Sequence, residues 1–369
     1  MVHLLRPERR GYRPTRRGCS GQRGGRSQTY TYDKAGRLTT VLDATDVTCT
    51  RRTYGFNARS NRTSQSTVTS APGASTCPTS GGTSITHTYD SVDRITDAGY
   101  SYDAFGRTTT SPGSVTTAYY ATDLVQQQTA GTVRSSWTLD ASMRPRGWTT
   151  ESNTSGSWVT TATRLNHYDS TSDEPRWTVE NTGTAAITRN VESLSGDLAA
   201  TTAASGGTVL QLTNLHGDVT LQLPLDTAVA PTVLAADEYG NVRAGSPAAR
   251  YGWLGAKQRS AETPSGMVLM GVRVYDPATG RFLQTDPEPG GSCNDYDYVC
   301  ADPVNAYDLD GRRCWSCGWR NAKRWVARHK VDIALNAASF VSGRGPAVWA
   351  YRGYRAYTAV RAARLATSP

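Results

Sequence analysis

Side chains able to do nucleophilic or metal chemistry are sparse in this chain of 369 residues, which holds five His and seven Cys. Cys314-Trp-Ser-Cys317 has the spacing of zinc and redox sites, but a structural zinc needs four ligands and the sequence offers no second such pair. No βαβ pattern surrounds it, so a thiol–disulfide catalyst is unsupported as well. The expectation is a disulfide or free thiols at a junction. The remaining cysteines fall as the neighbours Cys49/Cys77 and Cys293/Cys300 beside a lone Cys19, which suits an exported protein with local disulfides. His216 sits in a His-Gly-Asp turn with no second His nearby and reads as structural. Residues 312–369 carry one His and one acid, His329 and Asp332, too few for a metal-dependent nuclease. No cofactor and no metal are expected.

Acidic residues, in contrast, recur in a pattern. Tyr30-Thr-Tyr32-Asp33-Lys-Ala-Gly36-Arg37 returns as Tyr100-Ser-Tyr102-Asp103-Ala-Phe-Gly106-Arg107. Weaker copies centre on Asn57, Asp90 and Asp140. Alternating Tyr-x-Tyr predicts a strand with one aromatic face. In Asp-x-x-Gly the carboxylate can accept backbone amides further along, and Gly takes a positive φ. Arg-x-Thr then restarts a strand. Repetition suits architecture better than a single catalytic site, so Asp33 and Asp103 are assigned to turns, with Tyr32, Gly36, Arg37, Tyr102, Gly106 and Arg107 as repeat residues. Asp237-Glu-Tyr-Gly240 reads as a further turn, and 210–223 as two strands around His216-Gly217-Asp218. The Thr/Ser/Gly/Pro stretches at 66–85 and 109–117 read as loops. The expected fold class is mainly β, a set of stacked hairpins, followed by a short α-helical basic tip.

Charge divides the chain. Residues 1–26 carry +7, residues 312–369 carry +11, and the body between them carries −9 within a net charge of +9. No run of 18 apolar residues occurs, which argues against a membrane-spanning helix. Residues 1–10 lack an apolar signal core. Four segments are expected: a basic, disordered lead-in (1–26), a repeat region (27–250), a distinct block (251–311) and a basic helical segment (312–369). For the last, the composition leaves three readings open: a leader into a lost domain, a membrane-surface helix, or a nucleic-acid binder.

The repeats resemble the YD repeats of RHS proteins. The block containing Gly271-Val-Arg273-Val-Tyr275-Asp276-Pro277, Gly280-Arg281-Phe282, Asp286-Pro287, Tyr296-Asp-Tyr298, Asp302-Pro303-Val-Asn305 and Asp308-Leu-Asp310-Gly311 resembles the RHS repeat-associated core. The resemblance implies a β-structured shell around a variable toxic C-terminal segment, part of a secreted or cell-surface polymorphic toxin used in bacterial competition. Only five repeats precede the block, so the expectation is a C-terminal fragment of such a shell.

In several members of the family the core is also an aspartyl autoprotease that cuts after Asp-Pro-x-Gly-Leu. Here Asp308 and Gly311 are in register, while Leu309 replaces Pro and Arg312 replaces Leu. The resemblance implies Asp276 and Asp286 as the acids and a cut after Arg312 or next to Gly311. The opposing reading makes both acids turn residues of Tyr-Asp-Pro and Thr-Asp-Pro. The partners implied are an immunity protein for the C-terminal segment, an anionic membrane or nucleic acid at 312–369, and an upstream remainder of the shell.

Overall fold

The computed structural model describes residues 26–312 except 75, 289 and 290. The described residues belong to one compact unit. The expectations for the lead-in up to residue 25, for Cys19, Cys314 and Cys317, and for the helical tip beyond residue 312 lie outside the described residues.

The turns explain the sheets. Asp33 Oδ1 accepts the amides of Ala35 (2.9 Å) and Arg37 (3.0 Å), and its Oδ2 accepts Arg37 Nε at 2.7 Å. Asp90, Asp103 and Asp140 repeat all three bonds. Asn57 keeps the two amide bonds. Gly36 and Gly106 hold φ of 78° and 80°, the left-handed region that glycine enters without steric cost. Three of these Arg then reach beyond their own hairpins. Arg37 Nη1 donates to Asn57 O at 2.7 Å, Arg107 Nη1 to Tyr120 O at 3.0 Å, and Arg144 Nη1 to Ser170 O at 2.7 Å. Their guanidinium groups also lie over Phe56, Tyr119 and Tyr168, a favourable cation–π placement.

So joined, the hairpins form antiparallel sheets whose strands follow chain order. The first sheet holds β1 (Ser27–Tyr32), β2 (Leu38–Ala44), β3 (Cys49–Phe56), β4 (Arg62–Thr69) and β5 (Thr83–Thr86). The second runs through thirteen strands, from β6 (Ser101–Tyr102) to β18 (Thr232–Val233). Register shifts recur just before the turns, at Thr31/Tyr32, Gly55/Phe56, Ser101/Tyr102 and Thr138/Leu139. Such bulges raise the local twist. Neighbouring hairpins are thus joined edge to edge by ladder hydrogen bonds, and the aromatic faces are secondary. The stretch at 109–117 corrects the loop reading: it is strand Thr108–Ser111, a tight turn and strand Val115–Tyr119. Likewise Arg62–Thr69 and Thr83–Thr86 take strand at both ends of 66–85. Threonine is β-branched and fits a pleated, half-buried surface, which outweighs its turn-like composition.

Residues of 251–311 pack against both larger sheets: Met267, Val274 and Leu283 join Val115, Val125, Trp137 and Trp148 in one buried cluster, and Val304 packs on Leu38, Val41 and Tyr54. The third, three-stranded sheet has β19 (Val268–Met270), β20 (Arg273–Asp276) and β21 (Arg281–Phe282). Trp253, Tyr275, Phe282 and Tyr298 form one buried aromatic cluster. From it polar ties run out to distant hairpins. Arg281 Nη1 donates to Asn61 Oδ1 at 2.5 Å, Tyr296 OH to Gly106 O at 2.6 Å, and Arg259 to both Asp173 oxygens at 2.6 and 2.7 Å. Ser265 Oγ donates to Gln128 Oε1 at 2.7 Å. A disulfide joins Cys49 to Cys77 and another joins Cys293 to Cys300. These are the pairs that sequence proximity suggests.

Candidate functional site

The β19–β20 hairpin positions the site. Its tip is Gly271, at φ 58°, and a Cβ there would overlap the Asp310 carbonyl. Val272 N donates to that same carbonyl at 3.0 Å. Reciprocally, Gly311 at φ 65° leaves room for the Met270 carbonyl. Two glycines therefore let the end of the block lie backbone to backbone on the hairpin.

This places Arg273 between two acids. Arg273 is 1% exposed at its side chain, and the carboxylates of Asp286 and Asp308 are 4% and 1% exposed. One nitrogen, Arg273 Nη2, donates to Asp286 Oδ2 at 3.0 Å and to Asp308 Oδ2 at 2.9 Å. The guanidinium lies 3.6 Å from the centroid of the Phe282 ring. Burial pushes the Asp286 carboxyl up to about 6 and Asp308 up to about 7, with Arg273 opposing in both cases. One cation serves two buried acids, and the neighbouring Asp310 carboxyl acts on Asp308 as well, so burial and like charge hold protons on this cluster at a higher pH than on an ordinary carboxylate. Two carboxyls that meet one guanidinium and hold their protons unusually tightly are groups with which acid–base activation of water on an amide can be built.

The Arg312 peptide lies close to this pair. Arg312 N donates to Asp308 Oδ1 at 3.0 Å. A Cβ on Gly291 would sit 2.5 Å from Arg312 O and 2.9 Å from each Asp286 carboxylate oxygen. Gly291 thus leaves open the space shared by that carbonyl and that acid.

Asp276 is elsewhere. Its Oδ1 accepts Ala278 N at 3.0 Å, its Oδ2 accepts Thr279 Oγ1 at 2.7 Å, and Gly280 follows at φ 67°. It caps its own Asp-Pro turn, with a Thr hydroxyl where the repeats use an Arg. Of the acids expected from the sequence, the structure brings together Asp286 and Asp308 and leaves Asp276 apart. Arg273 is the member that sequence reasoning missed. Its signal was present: one cation inside the apolar run Val268-Leu-Met-Gly-Val-Arg-Val-Tyr275 demands a buried counter-charge. His216 is a structural turn residue, with Nδ1 on Asp218 Oδ1 (2.9 Å) and Nε2 on Pro303 O (2.7 Å).

No family model matches the sequence, and no curated protein does either. Among solved structures the fold is similar to the crystal structures of TcdB2-TccC3-Cdc42 and of TcdB2-TccC3. These match with TM-scores of 0.59 and 0.58, each at 19% identity over 77% of this chain. It is also similar to the Photorhabdus luminescens Tc holotoxin pore carrying an aspartate-to-alanine mutation in TccC3, with a TM-score of 0.53 and 15% identity over 77% of this chain. The chain spans about 15% of the length of the chains it matches. The likeness establishes a mainly antiparallel β fold of the kind found in these Tc toxin chains.

Proposed function

We propose that this chain is a scaffold segment of an RHS-type β-shell, with 251–311 as the block that closes the preceding repeats and 312–369 as the segment presented beyond it. The observation that carries this reading is the reach of the block. Its side chains tie Asn61, Gly106, Gln128 and Asp173, hairpins far apart in the chain, to one aromatic core. One similar structure is described as TcdB2-TccC3 without the hypervariable C-terminal region, which accords with the change of composition after residue 311. The secreted setting and the immunity, membrane, nucleic-acid and upstream-shell partners belong to the same proposal. Hydrogen exchange on the full chain tests it. Arg281→Ala should deprotect residues around Asn61, and Arg259→Ala those around Asp173. Unchanged protection in both would remove the block's closing role.

A second reading is favoured by one specific observation, the Asp286 carboxylate and the Arg312 carbonyl flanking Gly291. In it, Asp286 and Asp308 activate water on the Arg312 peptide, and the chain releases its own C-terminal segment. Mass spectrometry of the purified chain should find a fragment starting within a residue of Arg312. Asp286→Asn should abolish the fragment, whereas Asp276→Asn should leave it. A chain that stays intact throughout leaves scaffold alone.

A further inference from the structure

A different constellation lies in the loop between β21 and the end of the block. Cys293 and Cys300 are joined there as a disulfide. Asp297 stands with them: ligand atoms of Cys293, Asp297 and Cys300 all lie within 4.8 Å of one another. The turn chemistry uses only half of Asp297. Its Oδ1 accepts Cys293 N at 3.0 Å and Asn294 N at 3.1 Å. Its Oδ2 is buried, in a residue 4% exposed, with no well-formed hydrogen bond among the described residues, while the Ser292 side chain acts on the carboxyl from outside the turn amides. A buried carboxylate oxygen without a well-formed hydrogen bond is costly.

We infer that, once the disulfide is reduced, this loop holds one Zn²⁺ through Cys293 Sγ, Cys300 Sγ and a carboxylate oxygen of Asp297. Two thiolates and one carboxylate are a donor set that zinc accepts and that calcium or magnesium does not. Water completes the tetrahedron as fourth ligand. Breaking the S–S bond lets the sulfurs separate to positions around the ion. The step balances: a phosphine or dithiol reductant supplies two electrons and is itself oxidised, two thiols form, and Zn²⁺ displaces their two protons. Because the same sulfurs serve both states, disulfide and metal exclude each other. The loop thus has two alternative locks, one for oxidising and one for reducing surroundings.

The test uses the full chain with Cys19, Cys314 and Cys317 changed to Ser, reduced with a phosphine and titrated with Zn²⁺ against a chromophoric chelator. One Zn²⁺ per chain should bind that is absent from the oxidised form and lost on Cys293→Ser or Cys300→Ser; this also separates it from any metal held by Cys49 and Cys77. Asp297→Asn keeps the Oδ1 acceptor of the turn and should weaken binding by at least about 10-fold, the lower range for losing even an outer partner of a metal site. Co²⁺ in place of zinc should show charge-transfer absorption of two thiolates in the chain with Asp297 intact, a readout that survives if Asp297→Asn fails to fold. Zinc uptake unchanged by Cys293→Ser, uptake by the oxidised chain, or affinity unaffected by a folded Asp297→Asn would each overturn the site.

Discussion

Asp103 and Asp308 open the same five-residue turn, Asp-x-x-Gly-Arg, and their surroundings give them opposite chemistry. Asp103 is 24% exposed at its side chain and Asp308 is 1% exposed. In the repeat, the Arg of the turn closes on the Asp that opens it: Arg107 Nε sits 2.6 Å from Asp103 Oδ2. Burial acts to raise Asp103, but Arg107 and the turn amides outweigh it, so its carboxyl titrates below the ordinary range. In the terminal turn, Arg312 gives Asp308 its amide, the second oxygen goes to Arg273, and Asp310 acts on the same carboxyl. Burial wins there. The comparison teaches that the motif fixes backbone geometry, whereas burial and the charges around the turn decide whether its acid titrates below or above the ordinary range.

The largest effect should come from removing that shared guanidinium. Arg273→Leu leaves two buried acids without their cation, and breaking a buried pair in this way costs about 3–5 kcal/mol. Urea unfolding of the full chain measures it. A loss near that of a surface substitution would mean that both acids are already neutral.

Next in size is the close approach that seats the terminal turn. Gly271→Ala and Gly113→Ala both put a Cβ on left-handed backbone, at φ 58° and 80°. Around Gly113 nothing lies within 4 Å of the added atom, while at Gly271 it meets the Asp310 backbone. The first should cost about 2–4 kcal/mol, strain and displaced backbone together, and the second about 1–2 kcal/mol from left-handed strain alone. Equal losses would show that the 308–312 segment does not rest on the hairpin tip.

The two kinds of acid should also split the pH dependence. Asp286 and Asp308 have raised carboxyls, so their contribution to stability is full below the unfolded range near 4 and is lost as pH rises through about 6 and 7. Asp33, Asp90, Asp103 and Asp140 are lowered, so their contribution is present above that range and is lost as pH falls. Stability from these groups should peak at about pH 4, in the unfolded carboxylate range. Asp308→Asn should flatten the alkaline side and leave the acid side unchanged. An unaltered alkaline slope would assign it to other groups.

Much of the fold was legible because it is local. Asp33-x-x-Gly36-Arg37 specifies its turn within five residues, and Cys293 and Cys300 pair across a short loop. The site was legible only in part because it is not local. Asp276-Pro277 and Asp286-Pro287 look alike as dipeptides, yet one caps a turn and the other faces Arg273. Which two of three acids meet one guanidinium is decided by how the hairpin tip accepts the terminal turn. That acceptance depends on backbone contacts at Gly271 and Gly311, which no spacing encodes. Threonine-rich strands such as Thr108–Ser111 were obscured for another reason, since the same residues suit loops and pleated surfaces.

The smallest effect concerns the repeat arginines themselves. Arg94 pairs with its own Asp90 and is 37% exposed at its side chain, and it lies over Tyr102. Arg107 makes the equivalent pair but also donates to Tyr120 O and to Asp123, and is 13% exposed. If the cross-hairpin bond is what the Arg contributes, Arg107→Ala should cost about 1–1.5 kcal/mol, the net worth of one such bond with its packing. Arg94→Ala should stay within about 0.5 kcal/mol, because a solvent-screened pair inside one turn contributes little. Arg107→Lys separates charge from geometry: it keeps the cation near Asp103 but cannot reach two acceptors in one plane. Lysine should therefore recover less than half of the loss. Full recovery would make the repeat Arg a simple counter-ion, and the distinction between repeat and terminal turns would then rest on burial alone.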